Sequence, residues 1–272
     1  MADLGDITRP DPAVLGELVY SVPGAKNVTK FKCGGFVLGL AINHCMFDGV
    51  GAMQFVNSWG ETARGVPLSV PPALDRAVLR ARDPPRVAFP HHEFAQIDDG
   101  DGGGSPAQDG AEPPLLHRSF RFTPESIARV KALAAGDGGG VGGRAPTTFE
   151  ALAGAACAAG ELSPARAVRL VRGAAEAVTD AYMRSAVDYF EATRARPSLA
   201  STLLITAWSR LPFRAADFGW GPPAAYGPAA LPEREVALFL SCAGEGGGVR
   251  VLLGLPAAAM AEFERLVDEV IF

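Results

Sequence analysis

The run from Val28 to His44, VTKFKCGGFVLGLAINH, constrains the fold more than any other part of the chain. In its first half Lys30, Lys32 and Gly34 alternate with Thr29, Phe31 and Cys33, which reads as a strand with one wet face. Its second half, Phe36 to Ile42, is more uniformly apolar, as a strand buried on both faces would be. Gly34–Gly35 between them marks a bulge or bend. Asp48-Gly49-Val50-Gly51 then signals a turn. From Gly51 to Arg64 the apolar residues Met53, Phe55, Val56 and Trp59 fall at the spacing of an amphipathic helix. His44 is therefore expected where a buried strand ends and a helix begins.

The rest of the chain mixes the same two periodicities. A strand is expected over His117 to Thr123, a helix from Thr123 or Pro124 to Ala135, and a helix from Thr147 or Thr148 to Gly160. One long helix is expected over Pro164 to Thr193, a strand over Leu203 to Trp208, and an antiparallel pair over Val236 to Ser241 and Val249 to Leu255 around Gly244 to Gly248. A last helix should span Ala257 to Glu269. The expected class is α+β, helices packed on sheets. Asp98 to Pro114, DDGDGGGSPAQDGAEPP, has the composition of a flexible linker. It separates a first domain over 1–97 from a second over 116–272, with 98–115 as the connection.

Composition excludes several function classes. Of 272 residues, 25 are basic and 30 acidic, so no global positive field invites nucleic acid. Arg80, Arg82 and Arg86 read as a solvated local group. The four cysteines are scattered and form no CxxC, which argues against a zinc ribbon or disulfide framework and for reduced, mostly buried thiols. The polar start MADLGDITRPDP is no signal peptide, and no apolar run is long enough to span a membrane. A cytoplasmic protein is expected.

The residue types that carry chemistry gather at His44. A neutral imidazole on a glycine-containing turn after a strand is well placed to face a cleft and accept a proton near neutral pH. Asp48, four residues on, could orient the ring or pin the turn. Taken alone, His-x-x-x-Asp is also compatible with a structural histidine. A metal pair at i and i+4 on a helix is disfavoured by Gly49 and Gly51, and His91, His92 and His117 are not at matching spacings. Downstream, Asp217-Phe218-Gly219-Trp220-Gly221 is followed by two prolines. Its glycines imply a tight backbone with positive φ, and its simplest reading is a loop that packs Trp220 on the core.

Together HCMFDG and DFGWG are the signature pair of the plant BAHD acyl-CoA-dependent O-acyltransferases, and the chain resembles that family over most of its length. AINHCMFDGVGAMQFVNSWGETARG is similar to the histidine-motif region and LITAWSRLPFRAADFGWGPP to the second motif. LVYSVPGAKN, VTKFKCGGFVLGL and FPHHEF resemble the hydroxycinnamoyl-type members that act in suberin and cutin assembly. The resemblance implies a two-domain fold like chloramphenicol acetyltransferase, here incomplete. It implies acyl-CoA as co-substrate, no permanently bound cofactor, no metal, a small-molecule alcohol as the other partner, and a monomer. His44 would be the general base. Asp48 and Gly49 would be structural, as would Asp217, Phe218, Gly219, Trp220 and Gly221 beside the CoA channel. Thr206 and Trp208 match the family's Thr-x-Trp strand, with Thr206 a donor to the oxyanion. The group moved would be hydroxycinnamoyl, feruloyl first, to the hydroxyl of an omega-hydroxy fatty acid or fatty alcohol.

The pattern is interrupted in three places. The family's first strands and helices have no counterpart before Met1, a short stretch is missing between Asn27 and Val28, and the text jumps from FEALAGAACAAG to ELSPARAVRLV. The arginine that pairs with the motif aspartate in the family is expected to be among the missing residues. The competing expectation is therefore an inactive remnant with at most a binding role.

Overall fold

The structure is a computed structural model; it describes residues 27–40, 44, 47–73, 75–94, 115–135, 144–157, 163–195, 202–229, 235–242 and 247–271. The main body is a four-stranded sheet in the order β3-β6-β5-β4. Its strands are β3 (Leu115–Phe122), β4 (Leu204–Ala207), β5 (Val236–Ser241) and β6 (Val249–Pro256). β6 runs antiparallel to both β3 and β5, whereas β4 and β5 are parallel. A parallel neighbour cannot be reached by a tight hairpin, so a long connection separates Ala207 from Val236, and it carries DFGWG.

Side chains alternate across the strands and sort into two layers. Phe122, Ala237, Phe239, Val251, Leu253 and Leu255 face one way. They meet Val130 of α2 (Pro124–Ala135), Leu152 of α3 (Thr148–Cys157), and Met260 and Phe263 of α6 (Ala257–Ile271). Leu238, Leu240 and Leu252 face the other way, under Trp208 and Tyr226. β5 is thus covered on both sides, which explains its unbroken apolar text VALFLS. α3 begins with a capping box: Glu150 N–H donates to Thr147 Oγ1 at 3.2 Å, and Thr147 N–H donates to Glu150 Oε2 at 2.8 Å.

Several expectations change. The long helix over Pro164 to Thr193 is two, α4 (Pro164–Ala177) and α5 (Asp180–Thr193). Thr179 takes an extended conformation and its side chain accepts from Tyr182 N–H, so it caps a new helix; apolar spacing alone is blind to such a cap. The helix after His44, α1 (Gly49–Ala63), starts at Gly49, two residues earlier than expected. Phe36 to Ile42 is not a doubly buried strand in the part described: β1 (Asn27–Lys30) and β2 (Phe36–Gly39) form a two-stranded antiparallel ribbon. Phe36 and Val37 remain exposed because β1 is the only strand paired with β2 among the described residues. Finally, the described cysteines are not buried: Cys33 is exposed, and Cys157 and Cys242 are partly so. The strand read over Thr29 to Gly34 stops at Lys30, because Phe31 to Gly35 form the hairpin turn, with Gly34 N–H donating to Phe31 O and Gly34 at φ 88°; the other elements fall within two residues of expectation where they are described, and the end of the Thr148 helix beyond Cys157, the tip of the β5–β6 turn and the 98–114 linker lie outside the described residues.

Arg82 is no solvated cation either. The segment from Arg82 to Phe94 lies as a strap against α5, where two buried side chains read its backbone. Asp188 accepts from Arg82 N–H at 2.8 Å, Arg86 N–H at 2.7 Å and Arg82 Nε at 2.6 Å. Ser185 Oγ accepts from Ala88 N–H at 2.9 Å and Phe89 N–H at 3.3 Å. Burial works to raise the Asp188 carboxyl, but these donors hold it below its ordinary range. Among the described residues, no helix is long and apolar enough to cross a membrane.

Candidate active site

His44 sits on a turn between β2 and α1 with its side chain exposed, and its ring has no hydrogen-bond or ion-pair partner among the described residues. Asp48 does not orient that ring. It is the N-cap of α1, its Oδ1 accepting Gly51 N–H at 2.6 Å while its carbonyl takes Ala52 N–H at 2.9 Å. An acidic cap also suits the positive end of the helix dipole. Asp48 has no ion pair with any described arginine. Gly49 is the first helical residue; a Cβ built on it would stand 3.0 Å from Leu211 Cδ1, so α1 starts hard against the loop that leaves β4.

Thr206 and Trp208 lie at the start of that loop. Thr206 is half-buried in β4, opposite Leu238 of β5. Trp208 N–H donates to Phe239 O at 2.8 Å, extending the ladder by one residue. Its ring meets Phe213 at 5.6 Å, and Phe213 stacks on Tyr226 at 4.1 Å. The Gly49–Leu211 contact thus joins the start of α1 to the loop that follows the Thr-x-Trp strand.

The DFGWG loop docks at the far end of α1. Asp217 Oδ1 accepts from Gly219 N–H at 2.7 Å and Gly221 N–H at 2.9 Å. Gly219 and Gly221 have φ of 106° and 88°, as the glycine spacing implied. Arg64 of α1's C-terminal end donates to the Asp217 carbonyl and lies 3.4 Å from Asp217 Oδ2. The Gly219 N–H above all holds the Asp217 carboxyl below its ordinary range; burial works against it, and the Gly221 N–H and the Arg64 guanidinium add to the lowering. Phe218 meets Trp59 edge-on at 5.4 Å and Phe36 at 6.5 Å. Trp220 does not pack on the core: it is 80% exposed and touches Phe36 at 5.3 Å.

Sequence reasoning missed two polar clusters. Arg172, buried on α4, pairs with Glu150 of α3 at 2.8 Å, and Arg144 pairs with it from the other side at 2.7 Å. The Arg172 hydrogen bond above all takes the Glu150 carboxyl down to about 2. On the strap, His91 Nε2 lies 2.9 Å from Ser185 Oγ and Nδ1 lies 2.8 Å from Glu93 Oε1, with Tyr182 OH donating to Glu93 Oε2 at 2.6 Å. The Ser-His-Glu order looks hydrolytic. However, Ser185 is 0% exposed and its oxygen already accepts two backbone N–H groups, so no substrate can reach it. Ser185 and Asp188, three apart on α5, were the one signal available: two polar residues on the face a helix would bury. Clefts of about 540 Å³ beside Arg80, Arg82 and Phe190 and about 290 Å³ beside Phe55, Trp59 and Leu68 lie away from Thr206 and Trp208.

Comparison with known proteins gives one answer. The family model described as "Transferase family" matches residues 18–158 and 155–270. The two matches meet at the jump noted in the sequence near Ala156. An omega-hydroxypalmitate O-feruloyl transferase of Arabidopsis thaliana is 47% identical over 324 residues, covering 97% of this chain and 70% of the relative. Those 324 positions exceed the chain's 272 residues by 52, so the relative carries internal segments this chain lacks. A fatty alcohol:caffeoyl-CoA acyltransferase of the same organism is 43% identical, covering 94% of this chain and 72% of the relative. Among solved structures, vinorine synthase superposes with a TM-score of 0.59 at 18% identity, covering 93% of this chain and 71% of that one. TRI101 of F. sporotrichioides, complexed with coenzyme A and T-2, superposes at 0.57 and 15% identity, covering 85% and 65%. These likenesses fix the fold.

Proposed function

The chain belongs to the Transferase family, the acyl-CoA-dependent acyltransferases also known as BAHD enzymes, and from that premise we propose that it moves a hydroxycinnamoyl group, feruloyl first, from its CoA thioester to the hydroxyl of an omega-hydroxy fatty acid or fatty alcohol. The observation that carries the reading is the placement of His44: exposed, on the turn into α1, with α1 seated against the loop that leaves Thr206 and Trp208.

His44 takes the proton of the acceptor hydroxyl as its oxygen attacks the thioester carbonyl. A positioned base of this kind is worth about 10²–10⁴-fold in rate. The carbonyl oxygen becomes a tetrahedral oxyanion, to which Thr206 Oγ1 donates; one such donor supplies roughly 3 kcal/mol. Collapse of the intermediate expels the CoA thiolate, which takes up the proton His44 holds. Acyl-CoA is a co-substrate here, the protein acts as a monomer, and it works in the cytoplasm. Asp48 and the Asp217–Gly221 loop serve architecture: one starts α1, the other is fastened to its end.

The test is CoA release from feruloyl-CoA with omega-hydroxypalmitate as acceptor. Turnover that vanishes in His44→Ala and falls in Thr206→Val supports the reading; wild-type turnover that survives His44→Ala removes His44 from it. A second reading, a non-catalytic chain that binds a partner through its exposed apolar ribbon, draws on the exposure of Val28, Phe36 and Val37. It would be favoured by a folded wild-type protein that neither turns over nor binds CoA.

A further inference from the structure

The two glycines at which the 208–221 loop touches α1 are eleven residues apart. Eleven residues make three helical turns with about 20° to spare, so Gly49 and Gly60 lie on one face, separated by about 16 Å. At the first, a Cβ would meet Leu211; at the second, a Cβ would stand 2.5 Å from the Asp217 carbonyl oxygen and 3.2 Å from its carbon. The loop after β4 therefore meets the glycine face of α1 near both ends of the helix. At the far end Arg64 grips Asp217 twice, through its carbonyl and its carboxylate, while the carboxylate closes the loop onto Gly219 and Gly221. His44 lies five residues before Gly49, and Trp208 lies three before Leu211.

We infer that Arg64 and Gly60 are positioning residues: by pinning the end of α1 to Asp217 they set the register in which His44 stands against the Thr206–Trp208 strand. This rests on the acyl-transfer reading for its kinetic consequence but not for its structural one. An exposed ion pair by itself contributes little to stability, so the pin acts on register more than on melting. A one-residue slide along α1 would move the His44 turn by about 1.5 Å, and misplacement on the order of 1 Å can cost about 10²-fold in rate.

The experiment compares Arg64→Ala, Arg64→Lys, Asp217→Asn, the Arg64→Ala/Asp217→Asn double variant and Gly60→Ala with the wild type. In each, kcat and the KM for feruloyl-CoA are scaled to the folded fraction. The ¹³Cε1–H resonance of His44 is followed by NMR in parallel. The expected result is a kcat at least tenfold lower in Arg64→Ala with KM within twofold. Arg64→Lys should recover most of it, and the double variant should be no worse than the worse single one. Gly60→Ala, which forces the backbone contact apart, should lose at least as much as Arg64→Ala. The His44 resonance should shift in Arg64→Ala and Asp217→Asn in the same direction. A kcat that falls only with the folded fraction overturns the inference, as do additive losses or a His44 resonance unmoved in folded Arg64→Ala. Should the wild type show no turnover, the acyl-transfer reading fails by itself, and the His44 resonance still decides whether the pin sets its position.

Discussion

Leu253 of β6 and Phe36 of β2 are both apolar residues at the centre of strand-like text, yet Leu253 is fully enclosed and Phe36 is 38% exposed. Leu253 has a strand on each side and helices over its face; Phe36 has β1 on one side and the rings of Phe218 and Trp220 near it. The sheet body is held by area removed from water, at roughly 25 cal/mol per Å². The His44 arm is held by a few directed contacts: a cap at Asp48, two close approaches at glycine, an aromatic row through Phe47, Phe55, Trp59 and Phe218, and the Arg64–Asp217 grip. A fold can thus divide its support, with the His44 turn on the part held by a few contacts and the larger share of stability in the sheet.

Substitutions in the two parts should separate rate from stability. His44→Ala should lower kcat by about 10²–10⁴-fold while the free energy of unfolding stays within ~0.5 kcal/mol of wild type, measured by turnover and urea titration of the same sample. Phe239→Ala, in the centre of the sheet, should cost about 3–5 kcal/mol; Phe36→Ala in the ribbon should cost under ~1.5 kcal/mol, because less surface is exposed anew. Equal costs would mean the ribbon is part of the core. Acid should act on the body through Glu150. Its folded carboxyl titrates at about 2 instead of 4.5, so its contribution is complete above pH 4.5 and is lost as the pH falls through 2. That contribution amounts to up to about 3 kcal/mol, and Glu150→Gln should flatten the acid limb of a stability–pH curve. The smallest effect belongs to Thr179→Ala, about 1 kcal/mol from loss of the cap that divides α4 from α5.

The sheet body was legible because its text is periodic: VALFLS, the Gly-rich turn and VRVLLGLP read as a buried hairpin without help, and TPES and Thr147 announce their helices through caps. The α4–α5 break was hidden because Val178 and Met183 continue the apolar spacing across it, while a single threonine, Thr179, supplies the stop. Strand text at Phe36 promised burial, but burial depends on neighbours that a local pattern cannot supply. At the candidate site, His44 and DFGWG were visible as motifs, and Asp48 as a structural residue. Gly60 and Arg64 were not, since a glycine mid-helix and a lone arginine declare their purpose only when Asp217, more than 150 positions away, is laid against them.

That separation in sequence has a consequence for synthesis. A ribosome adds roughly 5–20 residues per second, so the end of α1 emerges about 8–30 s before the loop that will fasten it. For that interval the face of α1 meant for Leu211 and Asp217 is open, and the His44 turn has nothing to be measured against. The His44 arm is therefore made first and fastened last, by a loop that follows β4.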